Sequence, residues 1–350
     1  MDFRLLKEFD NHQMLIGISD EASGLRGYIA IHNTNRGPAL GGTRLQAYPS
    51  VKVAIQDALN LSKAMTYKCA LANLPWGGGK TVILSEKKMN RDAVLKSYAK
   101  LVESLNGLFK TGTDVGVFDS DVLNMAKYTN HMLGVSPGDR GDMSTSKIAA
   151  LGVYYSIKTA LENVYGSEDI NKKKIGIKGT GKLGGELVGL LYKEGADLYV
   201  ADIDSRKTNV LKKMYPNINV VNAKTIHKLS LDIYSPCALG REFSSHNIGE
   251  LNTKIIAGGA NNQLEDDELG EKLNKRKILY APDFIANAGG LIYVADELEA
   301  DGFRPERVLK RVKGIRQTLE EVFTISKSKD LSTNQIANEI GRVRIEHANI

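Results

Sequence analysis

Apolar and polar residues alternate along this chain with two distinct periods. Within residues 50–68 the apolar positions are three or four apart, which predicts an amphipathic helix with one buried face. The same spacing predicts helices over residues 89–106, where Asn90 is the expected N-cap, and over residues 120–133. Residues 27–32 instead form a short apolar run that is typical of a strand. The first part of the chain is therefore predicted to be an α/β unit.

The second part of the chain shows a more regular alternation of short apolar runs and helical stretches. Strands are predicted at residues 175–178, 197–202, 232–234, 254–257 and 278–281. Because helices between successive strands make those strands parallel, this alternation predicts a doubly wound parallel sheet. The turn-rich residues 134–146 separate the two parts and are the expected hinge.

Composition and charge exclude several classes of protein. The net charge of +6 comes from dispersed basic residues rather than from a patch, so no nucleic-acid partner is expected. No apolar run is long enough for a signal sequence or a membrane span, so no membrane association is expected. Two distant cysteines give no disulfide framework, and the histidines show no metal-ligand spacing. We therefore expect a cytoplasmic protein without a metal site.

Residues 179–184 form the pattern Gly-x-Gly-x-x-Gly between a predicted strand and a predicted helix. Such glycines let backbone amides approach a pyrophosphate at the helix N-terminus, as in a Rossmann fold. Asp202 ends the next strand, 18 residues after Gly184, where a carboxylate binds the ribose 2′-hydroxyl. That carboxylate repels a 2′-phosphate, which favours NAD, although Arg206 nearby keeps NADP open. The glycines could also serve only to pack the helix on the strand.

Two α/β domains with a cleft between them are the predicted architecture. The first domain is expected to comprise residues 1–134 and a C-terminal helix over about residues 331–350, and to bind substrate and support oligomerisation. The second, residues 147–330, is the expected doubly wound dinucleotide-binding domain. A length of 350 residues accommodates both.

Two lysines and one carboxylate are the candidate chemical groups of the first domain. Lys68 lies on the apolar side of the first predicted helix, Lys80 follows a predicted turn of glycines 77–79, and Asp114 follows a predicted strand. An amino-acid substrate needs a cation for its carboxylate and a proton-transfer pair at Cα, which these residue types provide. Snorkelling to the surface is the alternative for Lys68. A phosphate-binding loop is excluded because residues 74–76 break its spacing.

Seven stretches of the chain, in the same order, resemble the Glu/Leu/Phe/Val amino-acid dehydrogenases, most closely the leucine, phenylalanine and tryptophan branch. These stretches are residues 37–44, 63–68, 77–80, 114–116, 236–240, 255–264 and 281–290. The resemblance implies reversible NAD-dependent oxidative deamination of an L-amino acid to a 2-oxo acid and ammonia, by a homo-oligomer. Two alternatives stay open, a reductive aminase of a specialised biosynthetic pathway and a catalytically silent homologue that binds a nucleotide.

The resemblance also implies roles for particular residues. Lys80 would be the catalytic lysine and Asp114 would exchange protons with the amino group. Lys68 and a turn at Gly41 and Gly42 would hold the substrate carboxylate. The substrate side chain would be lined by Leu40, Gly112, Leu291 and Val294, with Asn262 beside the substrate. The cofactor would contact Gly179, Thr180, Gly181, Lys182, Leu183, Gly184, Asp202 and Asn261.

The expected substrate is hydrophobic, with aromatic side chains favoured over branched ones. Glycine at 112 and leucine at 291 are typical of phenylalanine and tryptophan members, whereas leucine members carry alanine and valine. Two segments depart from the family pattern. Lys147 and Ala149 stand where the branch has proline and threonine, and residues 128–130 replace an acidic sequence. The missing threonine hydroxyl removes one hydrogen bond to the nicotinamide, worth about 0.5–1.5 kcal/mol.

Overall fold

The structure, a computed structural model, describes residues 6–134 and 143–348, and these divide into two compact units. The first unit contains the described part of Met1–Asp139 with Val294–Phe303 and Gly341–Ile350. The second contains the described part of Arg140–Tyr293 with Arg304–Ile340. Most of the expected hinge lies outside the described residues, so the domain bounds inferred from the sequence stay a prediction.

The first unit is built on a mixed five-stranded sheet. Its elements are β1 (Met14–Asp20), β2 (Leu25–Asn33), β3 (Ala39–Gln46), α1 (Val51–Leu71), β4 (Gly77–Leu84), α2 (Arg91–Ser104), β5 (Phe109–Gly112) and α3 (Asp119–Met125). The strand order is β1-β2-β4-β3-β5. Strands β1, β2 and β4 pair antiparallel, whereas β3 runs parallel to both of its neighbours.

Helices cover both faces of this sheet. Ala58 and Leu59 of α1 pack in one apolar cluster with Val82 of β4, whereas Tyr98 of α2 packs in another with Ile83. Because successive side chains of a strand point to opposite faces, β4 supplies both clusters. The predicted helices over residues 50–68 and 89–106 are confirmed. The second begins with the expected cap, in which the Asn90 side chain accepts a hydrogen bond from the Ala93 amide at 3.2 Å.

Two glycine segments that were predicted to be turns lie instead in strands. Gly41 and Gly42 are in β3, and residues 77–79 begin β4. A Cβ at Gly41 would lie 1.8 Å from the carbonyl oxygen of Gly79. Glycine is therefore required here for the close approach of neighbouring backbones, and not for chain reversal.

The helix predicted over residues 120–133 is wrong beyond Met125, where α3 ends. The chain then returns to the sheet, where the Leu133 amide donates a hydrogen bond to the Thr111 carbonyl at 2.7 Å. Met132 and Leu133 are buried. The apolar residues that suggested a longer helix thus pack beside β5 as extended chain.

The second unit contains a six-stranded sheet in which all strand pairs are parallel, which confirms the predicted doubly wound fold. Its elements are α4 (Thr145–Tyr165), β6 (Lys174–Lys178), α5 (Lys182–Lys193), β7 (Asp197–Ala201), α6 (Ser205–Met214), β8 (Asn219–Val220), β9 (Leu231–Pro236), β10 (Thr253–Ile256), α7 (Glu268–Lys275), β11 (Leu279–Tyr280), α8 (Asp283–Ala286), α10 (Pro305–Lys313) and α11 (Ile315–Lys329). The strand order is β11-β10-β9-β6-β7-β8. Strand order reverses between β6 and β9, and ligands of such sheets bind at the carboxyl ends of the strands at that point.

Two further helices, α9 (Gly289–Ala295) and α12 (Thr333–Glu346), contribute residues to both units. The end of α12 packs on α1 within the first unit. Arg344 Nη1 donates a hydrogen bond to the Leu71 carbonyl at 3.2 Å, and Arg36 Nη1 donates one to the Arg344 carbonyl at 3.0 Å. Within residues 6–134 and 143–348, no helix is long and apolar enough to cross a membrane.

Candidate active site

Lys80 is a buried lysine within the sheet of the first unit. It lies in β4 opposite Ala30 of β2, and only 4% of the residue is exposed. Two residues earlier, on the same face of the strand, a Cβ at Gly78 would lie 2.2 Å from the Thr66 amide of α1. The glycine therefore lets α1 close over the strand and bury the lysine. Burial is the main reason that the pKa of Lys80 is lowered, against the opposing charge of Asp114.

Asp114 faces this lysine from the turn that follows β5. Lys80 Nζ donates a hydrogen bond to Asp114 Oδ2, so the structure brings the two residues together. The turn is closed by a hydrogen bond from the Val117 amide to the Asp114 carbonyl at 3.0 Å. Burial raises the pKa of Asp114, but the charges of Lys80 and Arg44 outweigh it and bring that pKa to about 2. The carboxylate is therefore ionised at neutral pH.

Arg44 of β3 is a further member of this cluster. The sequence motifs did not indicate a role for it. Its Nε donates a hydrogen bond to Asp114 Oδ1 at 2.9 Å. Its Nη1 donates to both carboxylate oxygens of Asp57 in α1, at 3.2 and 3.0 Å. The Tyr48 hydroxyl donates to Asp57 Oδ2 at 2.6 Å. Charged groups thus extend from the buried lysine toward α1 as one hydrogen-bonded chain.

The alternation of side chains along β3 could have indicated this arginine. Arg44 lies two residues after Gly42 and therefore on the same face of the strand. A Cβ at Gly42 would lie 3.0 Å from Asp114 Cβ and 3.2 Å from Lys80 Nζ. The missing side chain at Gly42 thus provides the space that the lysine and the carboxylate fill.

The other expected substrate residues of the first unit lie on three different elements. Leu40 is fully buried in β3, Gly112 ends β5, and Lys68 is half-buried on α1. A Cβ at Gly112 would lie 3.0 Å from Leu133 Cβ, so the glycine faces a packed side chain and not open space. The role of Lys68 beside the lysine–aspartate pair stays a prediction.

The glycine motif of the second unit lies between β6 and α5, as expected. Gly179 has a φ of +95°, in the left-handed region that favours glycine. A Cβ at Gly184 would lie 1.9 Å from the Gly179 carbonyl oxygen. A Cβ at Gly181, the N-cap of α5, would meet no described atom within 4 Å. The motif thus combines a tight turn and a close helix–strand contact with an open space at a helix N-terminus.

The remaining residues of this loop differ in their environment. Thr180 is 6% exposed, whereas Lys182, the first residue of α5, is exposed. Leu183 packs toward the loop that follows β10, because a Cβ at Gly259 would lie 2.5 Å from Leu183 Cδ2. The start of the helix is therefore lined by the backbone of the loop, while the Lys182 side chain points to solvent within this unit.

Asp202 directly follows β7, and its carboxylate is 6% exposed. Oδ2 accepts hydrogen bonds from the Thr180 amide at 2.7 Å and the Thr180 hydroxyl at 3.2 Å, while Oδ1 accepts one from the Asp204 amide at 2.9 Å. Burial raises the pKa of Asp202, but these hydrogen bonds and the charge of Lys207 outweigh burial and lower it. A carboxylate offers about four lone-pair positions, so capacity for a ligand hydroxyl remains. Arg206 pairs with Asp204 through two hydrogen bonds of 2.9 Å.

Asn261 and Asn262 lie in the loop after β10 and are exposed within the second unit. Asn261 Oδ1 accepts a hydrogen bond from Asn287 Nδ2 at 2.8 Å. Asn262 has a φ of +50°, and its amide donates to the Asp283 carboxylate. Both side chains are therefore carried by a loop that is fixed by hydrogen bonds at the carboxyl edge of the sheet.

Two of the residues expected to depart from the family pattern, Lys147 and Ala149, lie in the first turns of α4. Lys147 is half-buried, and Ala149 is 8% exposed. A Cβ at Gly290 would lie 3.6 Å from Ala149 Cβ, so the start of α9 packs closely on α4. Leu291 and Val294, both half-buried, follow in α9. A methyl group thus occupies the position at which the resemblance implies a threonine hydroxyl.

Two family profiles match this chain over most of its length. The Glu/Leu/Phe/Val dehydrogenase dimerisation domain matches residues 12–133, and the glutamate/leucine/phenylalanine/valine dehydrogenase domain matches residues 199–350. The chain is also 40% identical over 349 residues to L-tryptophan dehydrogenase of Nostoc punctiforme, covering 99% of this chain and 96% of that protein. The chain belongs to the Glu/Leu/Phe/Val dehydrogenase family. The resemblance seen in the sequence motifs is confirmed.

Other members of the Glu/Leu/Phe/Val dehydrogenase family are nearly as similar. Leucine dehydrogenase of Bacillus subtilis is 37% identical over 345 residues, covering 98% of this chain and 94% of that protein. A crystal structure of L-tryptophan dehydrogenase from Nostoc punctiforme superimposes with a TM-score of 0.88 at 37% identity, covering 99% of both chains. The predicted fold is thereby confirmed, as is the prediction of an amino-acid dehydrogenase. Among the described residues, no three His, Cys, Asp or Glu side chains are grouped so as to hold a metal ion.

Proposed function

We propose that this chain catalyses the reversible, NAD-dependent oxidative deamination of a hydrophobic L-amino acid. In that reaction the amino acid, NAD and water become the 2-oxo acid, ammonia and NADH, with release of one proton. The observation that carries the proposal is the buried hydrogen bond between Lys80 and Asp114. It places a lysine whose pKa is lowered in contact with an ionised carboxylate, which is able to accept a proton from the substrate amino group.

Three charged residues of the first unit, Asp114, Lys80 and Lys68, have a proposed place in this reaction. Asp114 exchanges protons with the substrate amino group. Lys80, when neutral, accepts a proton from the water that attacks the imine carbon, and the resulting ammonium donates a hydrogen bond to the developing oxygen. Lys68 binds the substrate carboxylate together with Gly41 and Gly42. When bound, NAD would supply the acceptor for the hydride that leaves the substrate Cα.

The loop after β6 fits a dinucleotide. The open space at Gly181 lies at the N-terminus of a 12-residue helix, where backbone amides favour a pyrophosphate. The ionised Asp202 accepts a ribose hydroxyl and repels a 2′-phosphate, which favours NAD over NADP. The pairing of Arg206 with Asp204 further favours NAD, because that guanidinium already has a carboxylate partner. The other proposed cofactor contacts are Gly179, Thr180, Lys182, Leu183, Gly184 and Asn261.

The proposed substrate has an aromatic side chain in preference to a branched one. Support comes from Gly112 and Leu291, the residue types of phenylalanine and tryptophan members, together with Leu40 and Val294. Identities of 40% and 37% to a tryptophan and a leucine dehydrogenase do not separate the two classes. Because Gly112 faces Leu133, the position acts through that leucine on the shape of the pocket. Asn262 is proposed to lie beside the substrate.

Oligomerisation and location are proposed on narrower grounds. The family profile over residues 12–133 is described as a dimerisation domain, which supports a homo-oligomer. Both cysteines are free, with Cys69 buried, which suits the reducing conditions of the cytoplasm. Size-exclusion chromatography with light scattering tests the first proposal, and a purely monomeric protein would contradict it.

The activity is tested by incubating the full chain with NAD and a panel of L-amino acids, and following NADH absorbance. Phenylalanine, tryptophan, leucine, valine and glutamate distinguish aromatic, branched and acidic preferences. Lys80→Met should abolish turnover while leaving NAD binding unchanged. Lys110→Met is the matched control, because the Lys110 amine contacts His131 at 2.8 Å, whereas the Lys80 amine contacts Asp114. NAD binding without turnover of any amino acid, in either direction, would support a silent homologue.

A further inference from the structure

Arg44 connects two carboxylates inside the first unit. Its Nε holds Asp114 Oδ1 at 2.9 Å, and its Nη1 holds Asp57 Oδ2 at 3.0 Å. The side chains of Arg44, Asp57 and Asp114 are 20%, 24% and 19% exposed, so all three are largely removed from water. The Tyr48 hydroxyl fixes Asp57 from its other side. A planar guanidinium that is held by two carboxylates has little freedom to rotate.

We propose that Arg44 is a positioning residue that orients Asp114 Oδ2 toward Lys80 and keeps a second positive charge beside that lysine. This inference rests on the proposed deamination. The two oxygens of Asp114 are divided, with Oδ1 bound to the guanidinium and Oδ2 bound to the ammonium. A carboxylate shared in this way neutralises Lys80 less completely than an exclusive partner would. Arg44 therefore favours loss of the lysine proton, which activation of water requires.

The sign of the effect follows from the groups that surround Lys80. Burial lowers its pKa most, Asp114 beyond β5 and Asp57 in α1 raise it, and Arg44 in β3 lowers it. The residue opposite in β2 is an uncharged alanine. Removing the charge of Arg44 should therefore raise the pKa of Lys80.

The test compares wild type with Arg44→Met and with Arg44→Gln, which keeps a donor for Asp114 without the charge. One measurement is the acidic limb of kcat/KM for deamination against pH. The other needs no turnover, because competitive acetylation followed by peptide mass spectrometry titrates the Lys80 amine directly. Both midpoints should move up, by on the order of one pH unit, because the charge of Arg44 is one of the influences that lower the pKa of Lys80. Arg44→Lys should restore the midpoint but not kcat, because an ammonium cannot bind both carboxylates in fixed geometry.

Arg26→Met is the matched control. Arg26 lies in β2 of the same sheet, its side chain is 61% exposed, and it pairs with Glu86 at 3.4 Å. It should leave both midpoints unchanged. Circular dichroism identifies which variants fold. If Arg44→Met does not fold, the test relies on Arg44→Gln. A folded variant without the Arg44 charge in which Lys80 titrates as in wild type overturns the proposal, whatever its activity. A shift in labelling in a chain whose wild type turns over no amino acid supports the charge coupling and contradicts only the proposed function.

Discussion

Acidification is expected to destabilise the first unit through two buried histidines, His12 and His32. They are 5% and 8% exposed, and their rings meet edge to face with centroids 4.7 Å apart. His32 Nδ1 forms a hydrogen bond with the Thr66 hydroxyl at 2.9 Å, and His12 Nε2 forms one with the Ser62 hydroxyl at 2.9 Å. Two adjacent imidazolium ions would repel each other here, so the folded unit favours neutral rings.

The size of the effect follows from the pKa of His32. Burial, with a smaller contribution from the charge of His12, lowers that pKa from 6.5 to about 4. Below pH 6.5 the unfolded chain binds the proton and the folded chain does not, so the stabilisation is complete above 6.5 and lost as the pH falls toward 4. At about 1.4 kcal/mol per pKa unit, protonation of His32 alone lowers the free energy of unfolding by about 3 kcal/mol over this pH range. The pKa of His12 is lowered too, mainly by burial, and adds in the same direction.

Urea unfolding followed by tryptophan fluorescence measures this loss in the relevant unit, because Trp76 is the single tryptophan and lies in the first unit. His32→Gln keeps an amide donor for the Thr66 hydroxyl and cannot titrate. Between neutral pH and about pH 4 its free energy of unfolding should fall by about 3 kcal/mol less than that of wild type. His246→Gln alters an exposed histidine of the second unit and should keep the wild-type dependence. Parallel curves for wild type and His32→Gln would refute the reasoning.

Three further outcomes are expected. Gly42→Ala should lower kcat/KM by more than about 100-fold, because the added Cβ would lie 2.6 Å from the Thr113 carbonyl oxygen and beside both proposed catalytic side chains. Gly17→Ala is the control and should match wild type in the same assay, because its Cβ would meet only the Tyr28 ring, at 3.8 Å. Asp202→Ala should weaken NAD binding about tenfold and reduce discrimination against NADP in fluorescence titrations, and unchanged affinities for both would exclude it as the ribose ligand. Gly112→Ala should lower kcat/KM for phenylalanine more than for leucine, so that the ratio of the two values falls by about 10–200-fold. Adding Leu133→Ala should restore this ratio if the two side chains occupy the same space.

Periodicity was sufficient to predict α1, α2 and the second sheet, because burial of one face leaves a direct trace in the sequence, but it predicted α3 too long. The helix over residues 50–68 and the cap at Asn90 are examples. Glycine was ambiguous, since it permits turns and also permits close backbone contacts. Gly41 and the glycines at 77–79 serve the second purpose, which depends on strands that are distant in sequence.

The candidate site was predictable where a short sequence motif contains a residue suited to proton transfer. Lys80 and Asp114 were singled out from their motifs, and the structure brings them together. Arg44 was not singled out, because its partners are Asp57, 13 residues away, and Asp114, 70 residues away. Its importance becomes visible only when β3, α1 and the turn after β5 are placed side by side.

The contribution of α12 to the first unit has a consequence for synthesis of the chain. Residues 341–348 belong with the N-terminal strands, and Arg344 and Arg36 contribute hydrogen bonds to their joint surface. A ribosome adding roughly 5–20 residues per second needs roughly 10–40 s to pass from residue 134 to residue 341. The first unit is thus the first to be started and the last to be completed. During that interval the nascent chain carries an α1 surface that α12 has not yet covered.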